Sequence, residues 1–495
     1  MTMQRPWKHD GNRRPMAHTA ALLLVAVVLV GCATVGPDYS PPAMKAPPTW
    51  QADGGDRWNE SPPPPQSLAR WWDTLGDPVL TRLVQEALSG NLDLKSAEAR
   101  IREARALRGI QRASLFPSVD GSATALRQRT SQNGTAGSGV ETDFYQAGFD
   151  AGWELDLFGG NRRALEAAQA DWEAAQAFRN EVQASLAAEV ARNYVELRTY
   201  QERLALARTN IGIQKATYEL NLSRFQAGLI DELPLQQSLY NLEHTRSQVP
   251  TLQAGLQASK NRLAVLLGKA PGKLDSLLSQ RAPIPAAPPS LAVGIPAEAL
   301  RRRPDVRRAE RELAAATARV GEATADLYPK LRLVGTIGLE SLLSGNLLEW
   351  ASRFWSVGPA AAWKIFDAGA IRKTIQVRNA QQEQALLNYE ATVLKALEEV
   401  ENALTTYAKE EQRLERLEKA VEAARKAEAA ARDRYQAGLV DFTDVLDTQR
   451  TLQSFQDEMA QSRGAAITNL IRLYKALGGG WTPEPAPSGE EAVRK

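Results

Sequence analysis

The chain repeats itself. Asp93, Ala97, Glu98, Leu115 and Pro117 return as Asp305, Ala309, Glu310, Leu327 and Pro329, and Trp153, Gly159 and Arg162 return as Trp363, Gly369 and Arg372. Arg224-Phe225-Gln226-Ala227-Gly228-Leu229 returns as Arg434-Tyr435-Gln436-Ala437-Gly438-Leu439, and Leu267-Gly268 as Leu477-Gly478, always displaced by roughly 210 residues. So constant a displacement over four separated landmarks marks one unit used twice. Pro271 to Pro296, rich in Pro and Ala, reads as an extended connector. The first repeat is therefore placed at 76–270, the connector at 271–296 and the second repeat at 297–480. A Pro-rich extended segment, 32–75, precedes them and a flexible tail, 481–495, follows.

Each copy has the same internal order. A helical stretch, 93–115 or 305–327, stops at Phe116-Pro117 or Tyr328-Pro329, because proline cannot continue a helix. A strand hairpin follows, at about 118–157 and about 331–366. From Tyr145 to Leu157 the odd positions are all apolar, while the even ones are Gln146, Gly148, Asp150, Gly152, Glu154 and Asp156. That alternation predicts a strand with one apolar and one wet face. In the second copy Leu331, Leu333, Ile337 and Leu339 alternate with Arg332, Thr336 and Glu340. The Gly, Ser and Thr of 131–139 read as a long hairpin loop, and Ser341 to Asn346 begin its counterpart. After Gly159-Gly160 and Gly369 come long coiled-coil patterns. Val393, Leu397, Val400, Leu404, Tyr407 and Leu414 recur at 3-4 spacing, as do Leu197, Tyr200, Leu204, Ala207 and Ile211. No proline interrupts 161–227, so that helix is expected to reach roughly 100 Å at 1.5 Å per residue. Gly228 and Gly438 suit a helix C′ position, and Asp231 and Asp441 stand where an antiparallel return helix would start.

The ends say where such a chain goes. Arg5, Lys8, Arg13 and Arg14 precede an apolar run, Ala20 to Val30, too short to span a membrane comfortably. Residues 1–31 read as an export signal. Leu29-Val30-Gly31-Cys32 resembles a bacterial lipobox, in which the chain is cut before the cysteine and the thiol is lipidated. Ala33, rather than Asp, follows, which by analogy with other lipoproteins addresses the chain to the outer membrane. The leader holds a surplus of positive charge, so the net +2 of the whole chain overstates the basicity of the mature one. Nothing in this balance points to nucleic acid.

The same inventory excludes most chemistry. Cys32 is the only cysteine, which leaves no intrachain disulfide and no thiolate metal site. His9 and His18 lie in the leader, so His244 alone remains for a triad or a histidine metal centre. There is no GxSxG, HExxH or GxxxxGK. No catalytic residue, cofactor or metal ligand is assigned. Three function classes stay open on the residues alone: an export duct, a structural or adhesive envelope-bridging coiled-coil lipoprotein, and a carboxylate-based hydrolase. The bridging reading requires the apolar strand faces to pack on the chain's own helices. The duct reading requires them to face lipid. Four strands cannot close a barrel alone, whereas three chains supply twelve, enough to enclose a lumen, and two would supply only eight.

Val35-Gly36-Pro37-Asp38-Tyr39, Trp71-Trp72 with Asp77-Pro78, and Arg302-Arg303-Pro304-Asp305-Val306-Arg307 with Ala309-Glu310-Arg311 resemble the NodT branch of TolC-family efflux lipoproteins. The resemblance runs from the lipobox to Trp481. It implies a mainly α fold with a membrane β-barrel portion, in which a homotrimer builds a 12-stranded outer-membrane barrel continued by a long periplasmic α-helical coiled-coil barrel. It also implies a passive conduit for drugs or other toxicants, fed by an inner-membrane pump of the RND class through a periplasmic adaptor. In such proteins the hairpin tips face the partners, here Gly228, Leu229, Gly438 and Leu439. Asp444-Val445-Leu446-Asp447 resembles the segment whose two aspartates line the periplasmic constriction, with Thr443 beside it. Arg434, Tyr435 and Arg450 are the candidates for the clasp that holds neighbouring helices. One departure is Val440, where the TolC branch carries a basic residue two positions past the turn glycine, so the clasp must be wired differently. From the lipobox, Cys32→Ser is expected to abolish incorporation of a fatty-acid analogue; labelling that persists in that variant contradicts the assignment.

Overall fold

The computed structural model describes residues 34–44, 46–52, 58–59, 65–133, 139–288 and 291–482. Cys32 and the leader lie outside the described residues, as does 483–495. The two copies match element for element. After a two-residue strand β1 (Trp58–Asn59) and helices α1 (Pro65–Ala69) and α2 (Pro78–Gly90), the first copy runs α3 (Leu92–Ala113), β2 (Ser118–Arg129), β3 (Glu141–Leu155), α4 (Gly160–Gln226) and α5 (Glu232–Leu266). Strand β4 (Leu291–Ala292) and helix α6 (Pro296–Arg302) lead into the second copy: α7 (Pro304–Ala325), β5 (Lys330–Ser341), β6 (Arg353–Ala362), α8 (Ala370–Gln436) and α9 (Phe442–Ala476). Equivalent helices have equal lengths: 22 residues for α3 and α7, 67 for α4 and α8, 35 for α5 and α9. Trp153 Nε1 donates to the Leu115 carbonyl and Trp363 Nε1 to that of Leu327, both at 3.0 Å, so the duplication extends to single hydrogen bonds.

The chain divides into two compact units. The first holds the described residues of 34–42, 102–174 and 309–388. Its centre is one antiparallel sheet in the order β2-β3-β5-β6, so β2 and β6 are its edges. The segment after residue 33 is strapped onto this unit. The Val35 N–H donates to the Phe158 carbonyl at 3.1 Å, and buried Arg163 donates to the Val35 carbonyl and to Asp38, at 3.2 and 2.6 Å. Gly36, at φ +88°, lies so close to the Gly321 Cα that a side chain there would overlap it. Tyr39 donates to Glu310 at 3.2 Å beneath the Arg311 guanidinium. Burial, helped by Glu310, pushes the Tyr39 hydroxyl up to about 12.

The second unit holds the described residues of 43–101, 175–308 and 389–482. The 3-4 stripe of the sequence is its core: Leu197, Leu204, Ala207, Val393, Val400, Leu404 and Tyr407 are buried. The 32–75 segment is not extended throughout, since Pro65–Ala69 is helical and Trp71–Leu75 is a 3₁₀ turn. The reason is aromatic burial: Trp71 is fully buried, stacked on Tyr474 at 5.4 Å and edge-on to Trp72. Asp77 then caps α2 through the Val79 and Leu80 N–H groups and accepts from the Tyr194 hydroxyl at 2.6 Å, with Pro78 at the first helical position.

Asn91 donates to the Leu266 carbonyl at 2.9 Å at the end of α5, and Arg303 stands at the same place in the second copy. Its guanidinium donates to both Asp305 oxygens, at 3.0 and 2.7 Å, to Glu399 at 2.6 Å and to the Ala476 carbonyl at 3.0 Å, joining α7, α8 and the end of α9. Burial pushes Asp305 up, but the Arg303 and Val306 donors outweigh it and hold the carboxyl below its usual value. Arg303→Ala is expected to cost about 3 kcal/mol in denaturant unfolding, because it strands a largely buried carboxylate, and Arg303→Lys to recover only part. A depressed carboxyl stabilises above its unfolded value, so the Asp305 contribution should fade as pH falls below about 3.9. An acid limb unchanged by Asp305→Asn contradicts this.

Candidate functional site

Two surfaces remain that the core does not explain. The first is the pair of hairpin tips, both in the second unit. Helix α4 closes on Gly228 at φ +73°, with the Gly228 N–H donating to Phe225 and the Leu229 N–H to Arg224. Helix α8 closes identically on Gly438 at φ +76°, through Tyr435 and Arg434. This is the Schellman arrangement, in which the left-handed residue satisfies the last carbonyls. Leu229 and Leu439 point outward, each 73% exposed. Asp231 and Asp441 occupy the N-cap positions, but neither side chain makes a capping bond.

At the second tip α9 turns Phe442, Val445 and Leu446 inward to Tyr435. Thr443, Asp444 and Asp447 therefore fall on the exposed side of the same turn. The aspartates are i, i+3 neighbours on one helix face. The first copy has Pro234 and Gln237 at the equivalent places, so the acidic pair belongs to one hairpin only.

Of the three clasp candidates, two reach the first hairpin. The Tyr435 hydroxyl donates to Asn221 Oδ1 at 2.9 Å, and Asn221, fully buried, donates in turn to the Pro234 carbonyl at 3.3 Å. Arg450 lies over the Tyr240 ring at 5.1 Å and donates to Asn241 at 3.4 Å. The Arg434 side chain is exposed and has no ion pair among the described residues. Its counterpart in the first copy, Arg224, is the one that contacts Tyr435. The Arg224 guanidinium sits 4.9 Å over the Tyr435 ring and donates to the terminal α8 carbonyls of Tyr435 and Gln436, at 3.5 and 3.2 Å. Sequence reasoning passed over Arg224 and Asn221, although Arg224 stands at the Arg434 position of the repeated hexapeptide. A polar seam continues beyond the clasp: Gln453 accepts from Gln214 and Thr245, at 3.2 and 3.3 Å, and Asp457 accepts both donors of Arg203.

The second surface is the sheet of the first unit. Its register pairs Ala151 with Val119 and Gly335, Phe149 with Gly121 and Ile337, and Ile337 with Trp355. All odd-numbered residues of the four strands thus share one face. That face carries Val119, Ala123 and Ala125, then Tyr145, Ala147, Phe149 and Trp153, then Leu331, Leu333, Ile337 and Leu339, then Trp355, Val357 and Pro359, with the charged Arg127, Arg129, Glu141, Asp143 and Arg353 gathered at its loop end. The other face carries Ser118, Asp120, Ser122, Thr124, Gln146, Asp150, Glu154, Arg332, Thr336, Glu340 and Ser356, with Leu126, Phe144, Val334 and Phe354 among them. Among the described residues nothing covers the apolar face: Ile337 is 63% and Trp355 74% exposed. An apolar surface this continuous does not face water. The alternative in which these strands pack on the chain's own helices is therefore removed. Among the described residues no helix is long and apolar enough to cross a membrane, and no group of acidic, His or Cys side chains is disposed to hold a metal.

A one-sided apolar sheet whose strands lead, in chain order, into long helical hairpins defines a protein of outer-membrane channel type. The outer membrane efflux protein family model matches residues 83–269 and 295–479, and the chain belongs to that family. It is similar to Nodulation protein T of Rhizobium leguminosarum bv. trifolii, 32% identical over 475 residues that cover 92% of this chain and 96% of that one. It is also similar to the pyoverdine export outer membrane protein OpmQ of Pseudomonas putida, 32% identical over 468 residues, 93% and 97% of the two chains. Among solved structures, the outer-membrane channel OprN superimposes with a TM-score of 0.86 at 39% identity, over 91% of this chain and 100% of that one. The protein is an outer-membrane efflux channel and not an enzyme.

The tip glycines have open space around them, so substitution there tests backbone conformation alone. Gly228→Ala and Gly438→Ala are each expected to cost about 1–2 kcal/mol, seen as faster hydrogen exchange of the adjoining helix ends. Unchanged exchange at both tips contradicts a required positive φ.

Proposed function

We propose that three copies assemble into a tunnel whose wall is a closed 12-stranded barrel and whose periplasmic part is a ring of coiled-coil hairpins. The observation that carries this is the sheet: one continuous apolar face, one polar face, and two edges, β2 and β6, with no partner strand among the described residues. In hydrocarbon an open edge leaves backbone groups unsatisfied, and pairing β6 of one chain with β2 of the next removes every edge. Twelve strands leave a lumen, which the polar face lines. A lipid on Cys32 adds a second anchor.

In this reading the tips meet a periplasmic adaptor and an inner-membrane RND-type pump, with Gly228, Leu229, Gly438 and Leu439 presented to them. The conduit is passive, and its cargo is drugs or other toxicants. Relatives named for pyoverdine export, toluene efflux and antibiotic efflux support a shared duct whose cargo is chosen upstream. Asp444 and Asp447, two from each chain, form a ring of six carboxylates at the periplasmic constriction, which favours cations over anions. Tyr435, Arg450 and Thr443 flank that ring, and Arg434 is the cation each chain holds toward its neighbour. The intrachain clasp of Arg224, Tyr435 and Asn221 ties the two hairpins of one chain together beside that ring.

Reconstituted in a planar bilayer, the protein should conduct ions with cation preference and be blocked by multivalent cations. Asp444→Asn with Asp447→Asn should reduce both properties several-fold while conductance persists. Unchanged selectivity in that double variant removes these residues from the constriction, and absence of any conductance removes the duct.

A further inference from the structure

The loop between β5 and β6 is unlike its counterpart in the first copy. Residues 131–139 are Gly, Ser, Thr, Asn and Gln with one Ala, whereas 342–352 contain four leucines and a tryptophan. This loop is built, not slack. Backbone bonds run from Asn346 to Leu343, from Glu349 to Asn346 and from Ser352 to Glu349, at 3.0 to 3.2 Å. The Ser341 hydroxyl meets both polar groups of Leu343, and the Ser352 hydroxyl donates to the Asn346 carbonyl at 2.7 Å. With these backbone groups bonded inside it, the loop turns apolar side chains outward: Leu342, Leu343, Leu348 and Trp350 are 60%, 64%, 87% and 78% exposed. That combination is costly in water and favourable in a medium poor in hydrogen-bonding partners.

Its position selects the medium. Arg353 pairs with Leu339 and so belongs to the apolar face, and its guanidinium lies over the Trp350 ring, which puts Trp350 on the same side. The apolar face runs along β3 from Leu155 to Tyr145, about 34 Å of strand at 3.4 Å per residue. At a tilt of 35–45° this gives a band of about 26 Å, the height of an outer-membrane hydrocarbon layer. Tyr145 pairs with Ser341, so the loop begins where the band ends, on the side away from the helices.

We propose that the 342–352 loop is an interfacial anchor that seats its leucines and Trp350 in the outer leaflet of the membrane, against lipid and beside the barrel. It rests on the reading of the sheet as a membrane-spanning wall. The test uses the full chain in phospholipid vesicles, with an environment-sensitive fluorophore on a single introduced cysteine in Leu348→Cys, Phe149→Cys or Ser131→Cys, and a parallel sample without one as the labelling background. Quenchers are a lipid with a nitroxide near its headgroup, a lipid with a nitroxide deep in the chain, and aqueous iodide. The label at 348 is expected to be quenched by the shallow lipid and shielded several-fold from iodide relative to the label at 131. Iodide quenching at 348 equal to that at 131 overturns the proposal, as a loop in water. Shielding from all three quenchers overturns it too, as a loop folded over the channel mouth. The label at 149 separates the two readings: deep-lipid quenching there upholds the wall whatever the loop does, and its absence overturns the wall and the anchor together.

Discussion

A backbone N–H or C=O in hydrocarbon has no water to bond, and this constraint governs the rest of the molecule. The four-stranded sheet satisfies its three internal ladders and leaves β2 and β6 open. Among the described residues no strand closes them, and the apolar face excludes water as the alternative. Closure must come from other copies, and the strand number then sets how many. Duplication is the economical route to such a wall, since one hairpin used twice yields four strands with a single register pattern.

The long helices follow from the same plan. Each strand hairpin opens into a 67-residue helix and a 35-residue return, and those hairpins need a core of their own. In the second unit the aliphatic stripe supplies it, while buried charged and aromatic groups fix where the pieces meet. Asp77 with Tyr194 and Trp71 with Tyr474 seat the segment before α2, and Arg303 ties α7 to α8 and to the end of α9. The tip uses the same chemistry more lightly. Tyr435 and Arg450 are held by hydrogen bonds to neutral side chains and by cation–π contacts.

Much of this was legible in the sequence because it was written twice. Gly228 and Gly438 announced their positive φ by recurring in the same hexapeptide, and period-2 alternation from Tyr145 identified β3 to within two residues of its end at Leu155. Less visible was anything that depends on contact between distant segments. The 32–75 segment reads as extended from its prolines, yet its 65–75 stretch forms short helices around Trp71, which is buried against Tyr474 and edge-on to Trp72. Arg434, Tyr435 and Arg450 stood together as clasp candidates, yet within one chain the guanidinium over the Tyr435 ring is that of Arg224. Adjacent residues on a helix do not face each other, so a partner from another helix was the better expectation.

The central claim is that the sheet is one third of a closed wall, and the copy number of the extracted protein tests it most directly. Native mass measurement of the full chain in mild detergent should give three copies, with strand content intact by circular dichroism. A folded monomer or a dimer that retains the same strand content would contradict it.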